Sequence, residues 1–107
     1  AYLPEEAVNL VLKKGLVPYT PNTITDPEKL WAELQEIRTK GYAFDFEEIE
    51  MGLRCVAAPI KNHKGEVIAA ISLSGPSIRM DDKRMQELVM PVKEAALEIS
   101  RKLGYYE

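Results

Sequence analysis

Residues 41–80 read GYAFDFEEIEMGLRCVAAPIKNHKGEVIAAISLSGPSIRM, and this stretch decides the fold. Tyr42 to Asp45 has the composition of a short strand. Phe46 to Gly52 is acidic and fits either a loop or a single helical turn. Leu53 to Ile60 is a continuous, largely apolar strand. Asn62-His63-Lys64-Gly65 is a turn, with Gly65 free to take positive φ. Glu66 to Ser74 is the return strand, and Gly75-Pro76 ends it. Strands that are apolar on both faces are covered on both sides, so this hairpin is expected at the centre of a sheet.

Helical patterns flank the hairpin. Pro4 to Lys14 is a short helix, with Pro4 in the first turn and Glu5 and Glu6 at the positive end of its dipole. Leu16 to Thr25 carries Pro18, Pro21 and Asn22, which break a helix and leave an extended connector. Asp26 to Lys40 is a second helix: Asp26 caps it, Pro27 takes its first position, and Gly41 stops it. Asp82 to Leu103 is the longest helix. Met85, Leu88, Val89, Val92, Ala96, Ile99 and Leu103 form its apolar stripe, and Pro91 is expected to kink it near Met90. Gly104 ends it, leaving Tyr105-Tyr106-Glu107 as a tail.

The order ααβββα predicts an α+β domain, with an antiparallel or mixed sheet and helices packed on it. Three strands leave edges exposed. A larger sheet completed upstream of Ala1 would cover them, and the first residue is not Met. The chain is therefore expected to begin partway through a longer product.

Bulk properties narrow the function. A chain of 107 residues suits one domain. Its 46% hydrophobic and 29% charged residues are ordinary for a globular protein. No apolar run approaches the ~20 residues that span a bilayer. No basic segment leads into an apolar block at the start, so no secretory signal is read. A net charge of −3, with basic and acidic residues interspersed, argues against a nucleic-acid surface. The single Cys55 cannot form an internal disulfide and fits a reducing cytoplasm.

Few residues carry candidate chemistry. Cys55 and His63 are the right types for a nucleophile–base dyad. Their places on the hairpin separate them by roughly 15–20 Å, which excludes both a dyad and joint metal ligation. Cys55 then reads as a small buried apolar residue. Among Asp45, Glu47, Glu48 and Glu50, only Asp45 ends a strand and can point inward, whereas the glutamates read as solvated or structural. Ser72 and Ser74 share one face of the return strand, and two hydroxyls on an apolar wall can orient a ligand. A four-residue turn pairs Lys61 with Glu66 and sets Cys55 opposite Ser72, whereas a three- or five-residue turn sends Cys55 to the other face. No cofactor or metal motif is present.

The chain resembles the effector-binding domain of the IclR family of bacterial transcriptional regulators. The resemblance covers nearly the whole sequence. It rests on Thr23-Ile24-Thr25 with Leu30 and Ile37; on Gly41-Tyr42-Ala43 and Glu47-Glu48; on Gly52-Leu53-Arg54-Cys55 and Ala57-Ala58-Pro59; and on Ala69 through Pro76 followed by Arg79-Met80. It implies a GAF-like α+β fold, with residues 1–107 as a single domain forming the C-terminal portion of the effector-binding domain. It implies that Asp45, Leu53, Cys55, Ser72 and Ser74 line the effector pocket, and it favours the register that keeps Cys55 with the serines.

The expected function follows from that resemblance. The chain would be a cytoplasmic sensing domain for a small organic acid, without catalysis, cofactor or metal. It would act as a homo-oligomer, dimer or tetramer, and reach DNA only through a winged-helix domain outside this chain. A Cys55-dependent enzyme domain and a ligand-free oligomerisation module are the alternatives.

Overall fold

The computed structural model describes residues 1–106; Glu107, the last residue of the expected tail, lies outside them. Two helices come first, α1 (Glu5–Lys13) and α2 (Pro27–Lys40). Three strands follow, β1 (Ala43–Phe46), β2 (Leu53–Lys61) and β3 (Val67–Pro76). A 3-10 turn, Ser77–Arg79, leads to α3 (Asp82–Lys102). The strands form one antiparallel sheet in the order β1-β2-β3, so the fold is α+β.

Alternation along β2 sets the layers. Val56, Ala58 and Ile60 are buried and pack with Met85, Leu88, Val89, Val92 and Ala96 of α3. A fully buried side chain of this kind stabilises the fold by roughly 1.5–3 kcal/mol. Leu53, Cys55, Ala57 and Pro59 point to the opposite face of the sheet. Below the sheet, Arg54 ties the start of α3 to β2: its Nη1 donates to the Met80 carbonyl and to Asp82 Oδ1, each at 3.1 Å.

The helix ends follow the local sequence. Asp26 accepts from the Glu28 N–H at 3.0 Å, and Asp81 from the Arg84 N–H at 2.8 Å. Gly41 closes α2 at φ 79°, a left-handed conformation that costs other residues energy. The chain can then turn straight into β1. α3 runs as one helix through Pro91. Pro91 and Glu87 both lie on its exposed side, where water can satisfy the Glu87 carbonyl left without an intrahelical donor.

Two expectations about the hairpin change. Within the described residues β2 is the central strand and β3 lies at the edge, with Ile68 and Leu73 exposed. α3 lies over β2 and reaches only part of β3, and no described strand pairs with the outer edge of β3. The pairing is also shifted. Cys55 faces Ser74 rather than Ser72, because Lys61 pairs with Val67 instead of Glu66 and a bulge at Ile60/Lys61 adds one more residue. Gly75 and Pro76 belong to the strand, opposite Arg54 and Leu53. A Cβ at Gly75 would lie 3.0 Å from Met80 Cγ, so a larger residue there needs the Met80 side chain to shift.

The result is a slab of 40 × 37 × 17 Å. It exposes 7463 Å², against about 6000 Å² for a compact monomer of this length. The excess comes from the uncovered parts of the sheet and from apolar residues such as Leu10, Val11 and Ile78.

Candidate functional site

The face of the sheet away from α3 is tiled in two rows. Asp45, Cys55 and Ser74 are cross-strand partners in the first, and Ala43, Ala57 and Ser72 in the second. Directly opposed side chains in an antiparallel sheet have Cβ atoms about 4.5–5.5 Å apart. Leu53 extends the first row's face by one step, opposite Pro76. All of Asp45, Leu53, Cys55, Ser72 and Ser74 therefore share one face. The turn shifts the partners by one residue, pairing Lys61 with Val67, and the bulge by one more, so parity is preserved.

The polar row is joined at one end. Cys55 Sγ and Ser74 Oγ are 3.0 Å apart, and either can donate. Cys55 is half-buried on this face, not a core residue as its type suggested. Asp45 Oδ1 accepts the Glu48 N–H at 2.8 Å, which orients the carboxylate at the strand end. Ser72 and Ser74 are exposed, so their hydroxyls can donate to an incoming oxygen. The small side chains of Ala43, Ala57 and Ala70 leave the floor beside them shallow.

Two cavities border these rows, one at Ala43 and Ala57 and the other at Asp45. One of about 210 Å³ lies between α2 and the sheet, where Leu34 and Ile37 face Ala43, Ala57, Pro59 and Ala70. Another, about 440 Å³, is lined by Tyr19, Ile24, Leu30, Phe44, Asp45 and Glu48.

The acidic segment 46–52 is held rather than free. Glu47 has φ 60°, and its Oε1 accepts from the Gly52 N–H at 2.9 Å and from Ser77 Oγ at 2.8 Å. Those bonds, Ser77 first, hold its carboxyl below the usual glutamate range. Burial pushes the Glu48 carboxyl up, reinforced by the charges of Asp45 and Glu33. The connector ties down the same segment. Thr20 Oγ1 donates to the Glu47 carbonyl at 2.6 Å, and Thr23 Oγ1 donates to that of Glu48. Asn22 Nδ2 reaches the Phe46 carbonyl at 3.2 Å.

Sequence reasoning did not assign Thr20, Thr23 or Glu47 to this support, because their bonds span some 25 to 30 residues. Ala57, which shares the parity of Cys55, lies between Ala43 and Ser72 on the same face. His63 stays on the turn, away from Cys55, whose cross-strand neighbours are Asp45 and Ser74. Among the described residues, no group of three His, Cys, Asp or Glu side chains could hold a metal ion. No described helix is long and apolar enough to cross a membrane.

Comparison with known proteins adds a family. The profile of the bacterial transcriptional regulator IclR C-terminal family matches residues 1–101. The HTH-type transcriptional regulator XynR of Escherichia coli strain K12 is 42% identical over 106 residues, covering 98% of this chain and 42% of that protein. The Thermotoga maritima IclR structure aligns with a TM-score of 0.88 and 46% identity, over 97% of this chain and 42% of that one. The inducer-binding domain of PobR from Acinetobacter, a double mutant in complex with 3-hydroxybenzoic acid, aligns with a TM-score of 0.82 and 30% identity. That match covers 92% of this chain and 57% of that one. The chain thus spans about two-fifths of the length of the curated relatives it matches.

Proposed function

From the premise that this chain belongs to the IclR C-terminal family of bacterial transcriptional regulators, we infer that it senses a small organic acid on the sheet face away from α3. The observation that carries the reading is the row Asp45–Cys55–Ser74 on one face of the sheet, with Ser72 in the next row and a cavity at Asp45. Ser72 and Ser74 donate to a carboxylate or carbonyl oxygen of the ligand. Asp45 repels that anion and instead accepts from a ligand hydroxyl, a hydrate or an ordered water. Cys55 and Leu53 supply a soft apolar wall. The ligand class is a hydroxy- or oxo-acid, which carries both kinds of polar group. The 3-hydroxybenzoic acid bound to the PobR domain belongs to that class.

Residues 1–107 are, on this reading, the C-terminal portion of an effector-binding domain that acts in the cytoplasm as a homo-oligomer. A separate winged-helix domain reads DNA, and ligand shifts the balance of arrangements by its differential affinity for them. The family and the relatives are regulators of transcription, not enzymes, which removes the support for a Cys55-dependent enzyme. A thiol that alkylates no faster than free cysteine at neutral pH is the expected result for Cys55.

Calorimetry with a panel of small hydroxy- and oxo-acids tests the reading. At least one acid should bind, and its affinity should fall at least tenfold in the Ser72→Ala/Ser74→Ala variant. Equal affinity in both proteins would remove the serines from the site.

A further inference from the structure

A separate concavity lies toward the other end of β2. It opens where β1 has ended and β2 runs on. β1 pairs only as far as Ala43 with Ala57, so from Ala58 to Lys61 that edge of β2 has no described strand partner. Two features keep the edge from pairing. Pro59 has no N–H to offer. The Lys61 N–H is taken by Ser100 Oγ at 2.9 Å. The C-terminal end of α2 stands on one side of this edge and the second half of α3 on the other, and between them lies an open cleft of about 330 Å³.

The cleft is cationic in a chain whose net charge is −3. Arg38, Lys40, Lys61 and Lys93 line it against one carboxylate, Glu94. Two of the cations are committed elsewhere. Lys40 is neutralised by Glu36 at 2.5 Å. Lys93 Nζ donates to the Lys40 carbonyl at 3.1 Å, covering the negative end of α2 that would otherwise repel an anion.

Arg38 and Lys61 are different. Among the described residues, neither is within ion-pair distance of a carboxylate. Arg38 lies 5.9 Å from the centroid of the Tyr2 ring, and Lys61 Nζ 5.3 Å from that of Tyr105. A cation held over a ring is positioned by it and still has N–H donors for an anion. Between them the floor is apolar, formed by Ala58, Pro59 and Leu97.

We propose that this cleft is a second binding site, for a small dianion such as a dicarboxylate or a phosphate monoester, held between Arg38 and Lys61. Among the described residues, the four cations set against Glu94 and the Glu36 on Lys40 leave two net positive charges, which set the charge of the ligand. The volume of the open cleft sets its size, and the apolar floor accepts a short carbon skeleton. A nucleic-acid backbone does not fit, because it needs an extended track of cations rather than an isolated cluster on an acidic chain. The site is independent of the sheet-face reading, since it shares none of Asp45, Leu53, Cys55, Ser72 or Ser74.

The test is an amide-resolved NMR titration of the intact protein with succinate and, separately, inorganic phosphate at pH 7.5, with ionic strength fixed by sodium chloride. Saturable shifts are expected at Gly41, Lys61 and residues 97–105. The affinity should fall at least tenfold in Arg38→Gln/Lys61→Gln and recover to within threefold of the parent in Arg38→Lys/Lys61→Arg. Saturation by one probe alone supports the site and fixes which anion it takes. Failure of both probes to saturate overturns the proposal, as do shifts confined to residues around Cys55 and Ser74. So does unchanged affinity in the charge-neutral variant, whose amide dispersion first shows that it is folded.

Discussion

At Glu47 a single residue carries both a backbone cost and a compensating pair of bonds. Its φ of 60° is left-handed, which costs a non-glycine residue roughly 1–2 kcal/mol. Its carboxylate answers with bonds to Gly52 and Ser77. Glu47→Ala keeps the cost and loses the bonds, whereas Glu47→Gly loses both. Urea denaturation should therefore rank wild type above Glu47→Gly, and Glu47→Gly above Glu47→Ala by about 1 kcal/mol. Because the Glu47 carboxyl is lowered, its contribution is present above the ordinary value of 4.5 and is lost as pH falls through the lowered one. Glu48 has the opposite sign. Its carboxyl is raised by burial, so its contribution is present below 4.5 and is lost as pH rises through the raised value. Glu48→Gln should raise the melting temperature at pH 7 and lose that advantage at pH 4. A loss of stability at pH 7 would show that the Glu48 carboxylate is favoured by the fold rather than strained by it.

At the scale of elements, helix ends and the bulge set where strands start and pair. Gly41→Ala puts a Cβ at a φ of 79° and should cost about 1 kcal/mol. Ser100 does more distant work. Its Oγ accepts the Lys61 N–H and donates to the Ala96 carbonyl at 2.8 Å, so the bulge is satisfied from α3. Ser100→Ala leaves the Lys61 N–H without that acceptor and should cost about 1–3 kcal/mol in thermal or chemical unfolding. These two positions mark what was legible in the sequence. The stop at Gly41, the cap at Asp26 and the apolar stripe of α3 are local signals and were readable. The bulge was not, because the group that satisfies it lies 39 residues away on another element. The acidic segment was ambiguous for the same reason, since Thr20 and Thr23 fix it from the connector. β3 read as central because its composition reports that it is apolar on both faces, not which elements reach it. The residues of the candidate site were legible chiefly through the family resemblance. Periodicity alone left open which face Cys55 takes.

For the whole molecule, thinness is the governing fact. A slab 17 Å thick, with Leu73, Ile78 and Met90 exposed, buries less apolar surface than a compact domain of its length. Sedimentation of the 107-residue chain at 100 µM should therefore report a dimer or larger species, and a sharp monomer would count against the exposed faces as interaction surfaces. The row Asp45–Cys55–Ser74 lies on the face of the sheet away from α3, with Ser74 exposed. The most direct test of sensing at that row is a crystal structure of the protein with the tightest-binding acid of the calorimetric panel. The expected result is a ligand carboxylate within hydrogen-bond distance of Ser72 or Ser74 Oγ, with a ligand hydroxyl or bridging water toward Asp45. A ligand seated elsewhere, for instance in the cleft between Arg38 and Lys61 with the sheet face empty, would contradict it.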